Sequence, residues 1–540
     1  MNDLGRSGLS WTGRGWLHTL GLLALGAVTV FGFAPFHFWG LTLVGLAGLF
    51  IRLHGVSGWE KPGRAGFRTG LVFGLGWFSA SCFWIASAFA ERGPEFVPLT
   101  LPMVGGLAVL LALFWAGAGW WTSRIMAAGG APWRAVAAFV SAMMLAELAR
   151  GHVLSGFPWN LPGYAWEPGG AISQGARLVG IYGLSAAMLL GAALLGHALV
   201  RRDWRPGAGV AALFAVLFAY GSIQLSRAQP GNQPGVALRI VTVPFRQSEQ
   251  LDPATRDAIT QSFIDQSLQP GLEDITHLVW PESAVLGLAM EDADLLYGMG
   301  GALVSYDDTP PVWIINSVRE EVTPNPETGR ADARYYNASV AISYDGLGNP
   351  TVAAFNDKRK LVPFGEFIPG GEVVEDLGAT LLSTALNSFT PASEKSPASY
   401  PGLPPISAQI CYEVIFPGLT RRGGPSDPQA ILNQSNDAWF GRTVGLDQHA
   451  AIARYRAIEE GLPLIRAAAN GITGSFDAQG RVVDLAPRGQ AGYVDTVLPL
   501  PASGAGWRRA GPSRILLVNC GLALLNLVLL LMSGTRRRTA

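Results

Sequence analysis

The sequence predicts a polytopic α-helical membrane bundle of about eight transmembrane helices joined to a soluble α/β sandwich domain. Of 540 residues, 49% are hydrophobic and only 14% charged, a composition too apolar for a soluble chain of this length. Long apolar runs recur through roughly the first 225 residues and return once near the C-terminus. Between them, from about residue 236, the pattern changes to short β-like runs that alternate with helix-compatible stretches. The turn-rich segments 229–234 and 499–506 bound that middle part. The expected division is therefore 1–227 as a transmembrane domain of about seven helices, 228–511 as a soluble domain, and 512–540 as a last transmembrane helix with an Arg-rich tail.

Crossing the hydrocarbon core as a helix takes about 20 mostly apolar residues, because lipid offers no partner to a backbone amide and a helix pairs its own. Runs that meet this requirement are 16–33, 38–53, 70–90, 98–120, 135–150, 174–200, 207–225 and 513–533. The first is followed by Phe33-Ala34-Pro35-Phe36 and more apolar sequence rather than a small-residue cleavage site, so it is expected to stay as a signal anchor. Lys and Arg in short loops remain in the cytoplasm. Arg6 and Arg14 precede the first span, Arg52, Lys61, Arg64 and Arg68 follow the second, and Arg124 and Arg134 follow the fourth. Arg201, Arg202 and Arg205 follow the sixth, and Arg536, Arg537 and Arg538 follow the last. Threading eight spans puts all of these on one side, with both termini cytoplasmic and the segment between spans seven and eight outside.

Gly21, Gly26, Gly105, Gly106, Gly117 and Gly119 are expected to let helices approach closely. Glu147 and Arg150, near the end of the fifth span, are costly in a membrane unless paired or interfacial. Both an anchoring and a functional role fit them. The proline-broken, aromatic stretch Phe157-Pro158-Trp159-Asn160-Leu161-Pro162-Gly163-Tyr164 suits an interfacial or re-entrant loop.

The zero net charge hides a partition. Residues 1–227 carry 15 Lys/Arg against 7 Asp/Glu, residues 228–512 carry 20 against 32, and the remainder carries 4 against none. A soluble part with an excess of 12 acids repels a phosphate backbone, which argues against nucleic acid as a partner. Its β-like runs are 236–243, 276–280, 311–317, 337–344, 351–355, 405–410 and 429–433, with helix-compatible stretches at 252–268, 412–422 and 446–461. Segments 245–256 and 367–400 are rich in turn formers and suit lids. There is no internal repeat, no Gly-rich phosphate loop and no His/Cys group with metal-ligand spacing, so neither a metal nor another cofactor is expected.

Cys82 and Cys520 lie in apolar membrane-type runs, which leaves Cys411 as the one thiol of the soluble part. Such a thiol is either an inert small hydrophobe or a reagent. Cys411 follows Pro405-Ile406-Ser407-Ala408-Gln409-Ile410, and a helix start just after it would favour a thiolate. Glu282 follows the run Thr276-His277-Leu278-Val279-Trp280-Pro281, and Lys358 follows 351–355. Each sits just beyond a β-like run, where side chains emerge at a sheet edge. A carboxylate that takes the thiol proton, a thiolate that attacks a carbonyl, and an ammonium that stabilises the oxyanion form a workable acyl-transfer set.

In the order and flanks of these residues the chain resembles the nitrilase superfamily, and within it the apolipoprotein N-acyltransferase family. The resemblance rests on Trp280-Pro281-Glu282-Ser283, on Lys358 with Leu361-Val362-Pro363-Phe364-Gly365-Glu366-Phe367, on Cys411-Tyr412-Glu413 and on Asn433-Gln434-Ser435-Asn436-Asp437-Ala438-Trp439-Phe440-Gly441. It extends to Tyr335-Tyr336-Asn337-Ala338-Ser339, Phe33-Ala34-Pro35-Phe36, Gly156-Phe157-Pro158-Trp159 and the order of spans, and so covers nearly the whole chain.

This resemblance implies an α-β-β-α sandwich with Glu282 as general base, Lys358 as oxyanion stabiliser and Cys411 as nucleophile. It implies that Glu366 orients Lys358, that Tyr412 and Glu413 shape the pocket, and that Asn337 is a supporting polar group. His449 and Arg454 are read as structural contacts. The implied reaction moves a fatty acyl chain from a membrane phospholipid, through a Cys411 thioester, to the N-terminal amine of a diacylglyceryl-modified apolipoprotein. Its implied place is the outer face of the bacterial inner membrane. The alternative is a membrane-tethered amidase or hydrolase that delivers the acyl group to water. The chain departs from the family pattern at Lys360, at Ala468-Ala469-Asn470-Gly471, at Val243-Pro244-Phe245-Arg246 and at Leu251, and these positions bear on substrate preference while leaving the triad intact.

Overall fold

The computed structural model describes residues 15–131, 133–227, 231–306, 309–324, 331–367, 389–393, 398–420 and 427–502, with isolated positions near 521–528. Two compact units emerge. One is built on the chain up to Arg227 and takes in Thr443–Ala451; the other is built on Ala228–Arg442 and the chain from Ile452.

The first unit is helical: α1 (Gly15–Val28), α2 (Trp39–Ser57), α3 (Pro62–Cys82), α4 (Ile85–Arg92), α5 (Thr100–Ala127), α6 (Trp133–His152), α7 (Gly175–Arg201) and α8 (Arg205–Ser226). Among the described residues six helical segments are long and apolar enough to cross a membrane, or seven if α3 and α4, bent by 46° at their junction, form one span. Each of the first seven expected spans falls on one of these. All but a few isolated positions of the eighth lie outside the described residues, as do Arg6, Arg14 and the C-terminal arginines. Leu101, Val109, Val216 and Phe218 are exposed on this unit, an outward apolar surface that suits lipid and is costly in water.

Close packing follows small residues, but not all of those expected. A methyl group at Gly26 would overlap the Phe73 carbonyl and one at Gly119 the Gly66 carbonyl, whereas Gly21, Gly105, Gly106 and Gly117 have open space beside them. The reason is helical phase. The buried face of α5 carries Ala108, Leu111, Ala112, Trp115, Ala116 and Gly119, and the other glycines of α5 lie off it.

Glu147 and Arg150 prove to be paired with each other, both fully buried. The Arg150 guanidinium donates to both Glu147 oxygens (2.9 and 2.6 Å) and to the carbonyls of Phe157 (2.7 Å) and Trp159 (2.9 Å). Trp115 Nε1 donates to Glu147 at 2.6 Å. The pair thus anchors the proline-broken loop, which follows α6 through short 3-10 turns at Val153–Ser155 and Pro162–Ala165. A buried charge pair is tolerable because its remaining donors and acceptors are met.

The second unit is a two-sheet sandwich. Strands β1 (Asn232–Thr242), β2 (His277–Val279), β3 (Val312–Pro324), β4 (Ala331–Tyr344) and β5 (Pro350–Asp357) join β11 (Gly492–Pro499) in a six-stranded sheet ordered β11-β1-β2-β3-β4-β5. The second sheet contains β6 (Ile406–Ile410), β7 (Ala430–Asn436), β8 (Leu464–Ala469), β9 (Gly474–Phe476) and β10 (Val482–Leu485), ordered β10-β9-β8-β7-β6. Leu238, Ile240, Val279 and Ile314 of the first sheet pack on Ile406, Ala408, Leu432 and Ile465 of the second, where apolar burial supplies the adhesion. On its outer face the first sheet buries Trp280, Trp313, Ile315 and Val340 under α9 (Pro253–Ser267) and α10 (Ala293–Val304), through Phe263, Met299 and Leu303. Helix α11 (Gly445–Glu460) is buried at Ile452, Ala453, Tyr455, Ala457 and Ile458. Arg454 donates to the Gly480 carbonyl at 2.8 Å, a structural contact.

One sequence expectation is corrected. Residues 412–422 form no α-helix among those described: a 3-10 turn, Cys411–Ile415, ends at an extended Phe416. Pro417 disfavours helical backbone at the residue before it, and Gly418 adopts φ +77°. Of the two segments expected to suit lids, 245–256 forms a turn, Gln247–Leu251, running into α9, and most of 367–400 lies outside the described residues.

Candidate active site

The site forms where strands of both sheets end. In the parallel pairs β1–β2–β3 and β6–β7–β8, side chains just past the C-terminal edge share one rim. Glu282 lies three residues beyond β2, Cys411 directly follows β6, and Ser435 and Asn436 close β7. Lys358 follows β5, which pairs with β4 so that Asn337 on β4 stands beside this end of the sheet. Non-glycine residues hold left-handed backbone at three of the connecting points, Ser283 (φ 61°), Phe364 (φ 61°) and Cys411 (φ 49°). Strain of this kind, about 1–3 kcal/mol at each position, persists where the surroundings over-determine it.

Lys358 is buried, with 1% of its surface exposed, and its Nζ lies 2.8 Å from Glu366 Oε1 and 3.5 Å from Glu282 Oε1. Asn337 Nδ2 donates to both carboxylates, at 2.9 Å to Glu282 and 3.1 Å to Glu366. Asn337 is itself oriented by Asn316, whose Nδ2 donates to its Oδ1 at 2.6 Å. The second Glu282 oxygen accepts the Asn436 backbone N–H at 2.9 Å, and the second Glu366 oxygen accepts that of Val362 at 2.8 Å. Two carboxylates, one ammonium and one amide therefore form a fully engaged cluster in which no member is free to turn away.

Glu413 ties the cysteine turn to the lysine loop. Its side chain is fully buried; one oxygen accepts the N–H groups of Arg359 (2.9 Å) and Lys360 (3.2 Å) and the other accepts that of Ile410 (2.8 Å). Tyr412 packs edge-on against Phe416, centroids 4.9 Å apart, and Lys360 Nζ stands 4.9 Å over the same ring. The position at which the chain departs from the family pattern thus presents an ammonium resting on an aromatic face.

Electrostatics follow from burial. Burial and the Glu282 charge push the half-buried Cys411 thiol well above the ordinary thiol range, outweighing the pull of Lys358. The expected α-helix start is not what the fold provides: a five-residue 3-10 turn, Cys411–Ile415, supplies little dipole to favour a thiolate. Burial alone would lower Lys358, but the charges of Glu366 and Glu282 overcome it and keep the ammonium charged. Burial raises Glu413 too, against the pull of Arg359 and its backbone donors. Burial and the Glu282 charge thus both favour the neutral thiol, and Lys358 opposes them.

All seven residues singled out in the sequence, Glu282, Lys358, Cys411, Glu366, Tyr412, Glu413 and Asn337, belong to this one cluster or its immediate turn. Sequence reasoning assigned nothing to Asn316, Ser435 or Arg466, buried polar residues inside apolar strands. A polar side chain interrupting a β-like run was the available signal. Asn470, in the second departing stretch, clasps Phe245 in the third, accepting from its N–H and donating to its carbonyl, both at 2.7 Å. The Leu251 side chain lies outside the described structure.

Residues 25–194 match the family model described as apolipoprotein N-acyltransferase N-terminal domain, and residues 278–505 match the one described as carbon-nitrogen hydrolase. A Rhodopseudomonas palustris protein named apolipoprotein N-acyltransferase is 31% identical over 519 residues, covering 93% of this chain and 93% of that protein. One of the same name from Allorhizobium ampelinum is 34% identical, covering 87% of each chain, and one from Caulobacter vibrioides is 32% identical, covering 91% of this chain and 89% of its own.

Proposed function

The chain belongs to the apolipoprotein N-acyltransferase family, and from that premise we propose that it moves a fatty acyl chain from a membrane phospholipid to the N-terminal amine of a diacylglyceryl-modified apolipoprotein through a thioester on Cys411. The observation that carries the reading is the cluster itself: Glu282 and Lys358 clamped by Asn337 and Glu366 in the unit that also holds the strained Cys411 turn.

In the first half-reaction Glu282 takes the thiol proton as sulfur attacks the ester carbonyl. The electron pair displaced onto the carbonyl oxygen is met by Lys358 Nζ and a backbone N–H of the turn. Collapse expels the lysophospholipid alkoxide, which leaves with the proton from Glu282. In the second half the acceptor amine attacks the thioester, Glu282 accepts the amine proton, and the departing thiolate recovers it. Amide resonance makes the product more stable than the thioester. Glu282 is suited to both halves because three donors fix its position, from Asn337, Asn436 and Lys358. Confining both lipid-anchored substrates to one bilayer lowers the association entropy that catalysis must overcome.

The charge pattern of the loops supports a site on the outer face of the bacterial inner membrane, with both termini cytoplasmic. The test supplies purified protein with phospholipid labelled in one acyl chain and a diacylated lipopeptide. Labelled N-acyl lipopeptide is expected; label appearing only as free fatty acid would replace transfer by hydrolysis.

A further inference from the structure

Two chains of amides leave the Ser283 peptide, where a non-glycine residue holds φ 61°, and end on the two oxygens of the neighbouring Glu282. In the inner chain the Ser283 N–H donates to Asn316 Oδ1 at 3.2 Å, Asn316 Nδ2 to Asn337 Oδ1 at 2.6 Å, and Asn337 Nδ2 to Glu282 Oε1 at 2.9 Å. In the outer chain Gln250 Nε2 donates to the Ser283 carbonyl at 2.6 Å, and Gln247 Nε2 donates to Gln250 Oε1 at 3.2 Å. Asn436 completes it: its Nδ2 donates to Gln247 Oε1 at 2.8 Å and its backbone N–H to Glu282 Oε2 at 2.9 Å. Gln247 and Gln250 lie on the turn that runs into α9.

The direction of the outer chain is set independently at both ends. A carbonyl only accepts, so Gln250 must turn its NH2 to Ser283. Asn436 Oδ1 accepts the Ala438 N–H at 3.1 Å, so its NH2 must face Gln247. The two demands agree, and Gln247 joins them head to tail. Gln250 is buried and Gln247 half-buried. The turn that carries them is itself pinned: Asn470 clasps Phe245 just before it, and just after it Asp252 caps α9 by accepting the Thr255 N–H at 2.9 Å. Left-handed backbone at a serine persists only where its surroundings hold it. Here the Ser283 N–H and carbonyl are both held, and the direction of the Glu282 side chain depends on that peptide. Neutral amides hold it without adding a charge that would compete with Lys358 for the carboxylate. We infer that Gln247 and Gln250 are positioning residues, which keep the base Glu282 in register by bracing Ser283 from one side and Asn436 from the other.

The inference rests on Glu282 being the base, and the test separates the two. Acyl transfer from a defined phospholipid to a diacylated lipopeptide is measured on the full-length protein in detergent for Q247M, Q250M, the double variant and E282Q. Methionine keeps the length of the side chain and removes both polar atoms. Each single variant is expected to lower kcat about 10-fold, with KM for both lipids within about twofold of wild type. Its melting temperature should fall by no more than roughly 2–4 °C. Either substitution breaks the same chain, so the double variant is expected to lose no more than one of them alone. Wild-type kcat in Q247M or Q250M would overturn the inference. So would a raised KM at unchanged kcat, or a loss in the double variant equal to the product of the two single losses. If Q250M does not accumulate, Q247M, at the half-buried position, decides alone by kcat against KM. Transfer at the wild-type rate in E282Q would instead overturn Glu282 as the base.

Discussion

Replacing Glu413 by Gln changes one atom of a fully buried side chain and tests whether the cysteine turn and the lysine loop are held as a single piece. The carboxylate accepts three backbone N–H groups, two through Oε1 and one through Oε2. An amide has one acceptor oxygen. In its better orientation Gln keeps Arg359 and Lys360 and turns its NH2 toward the Ile410 N–H. That forfeits one charge-assisted bond, about 1.5–3 kcal/mol, and sets donor against donor, for a total near 3 kcal/mol. For a domain of this size the loss corresponds to a fall in melting temperature of roughly 6–12 °C. Ile410 immediately precedes Cys411, so the repulsion displaces the sulfur relative to Lys358. A shift of about 1 Å costs on the order of 100-fold in rate. Thermal melting of detergent-solubilised protein and acyl transfer at saturating lipid measure the two effects, with kcat falling more than KM changes. Wild-type melting together with wild-type kcat in E413Q would refute the reasoning.

Asn337→Ala removes the amide that bridges Glu282 and Glu366; transfer is expected to fall about 10–100-fold, with a stability loss of about 1–3 kcal/mol seen in denaturant titration. Glu282→Gln separates two effects of one charge. Because Glu282 helps to hold the thiol above its ordinary range, its neutralisation lowers the pH at which Cys411 is alkylated while abolishing transfer, and the two assays should move in opposite senses. In the helical unit, Arg150→Ala leaves Glu147 buried and unpaired, a cost of about 3–5 kcal/mol. Monodisperse protein in size-exclusion chromatography should be lost. Arg150→Lys should not restore it, since a single ammonium cannot reproduce the two-oxygen fork together with two carbonyl contacts.

Much of this architecture was legible because its physics is local. Lipid demands long apolar helices, and the runs that satisfy it declare themselves; a parallel strand buried on both faces reads as a short apolar run. Glu282, Lys358 and Cys411 could be singled out because each follows such a run. What failed depended on partners distant in sequence. The stretch after Cys411 has helical composition, yet Pro417 and the grip of Glu413 on Ile410 and Arg359 hold it in a short turn. Gly105, Gly106 and Gly117 look like packing residues until the phase of α5 is fixed by α3. Asn316 and Arg466 interrupt apolar strands and gain meaning only through Asn337 and Asp437, which neighbouring strands bring to them. The upward push on the thiol was likewise illegible, because one of its causes, the Glu282 charge, comes from a residue 129 positions earlier in the chain.

The most direct test of the covalent mechanism is a mass measurement on wild-type protein incubated with a phospholipid of defined acyl chains and no acceptor. The account predicts one acyl chain added, located on the peptide that contains Cys411, and its transfer to a diacylated lipopeptide when that is supplied. A Cys411 peptide that remains unmodified while acylated lipopeptide still forms on adding acceptor would contradict it.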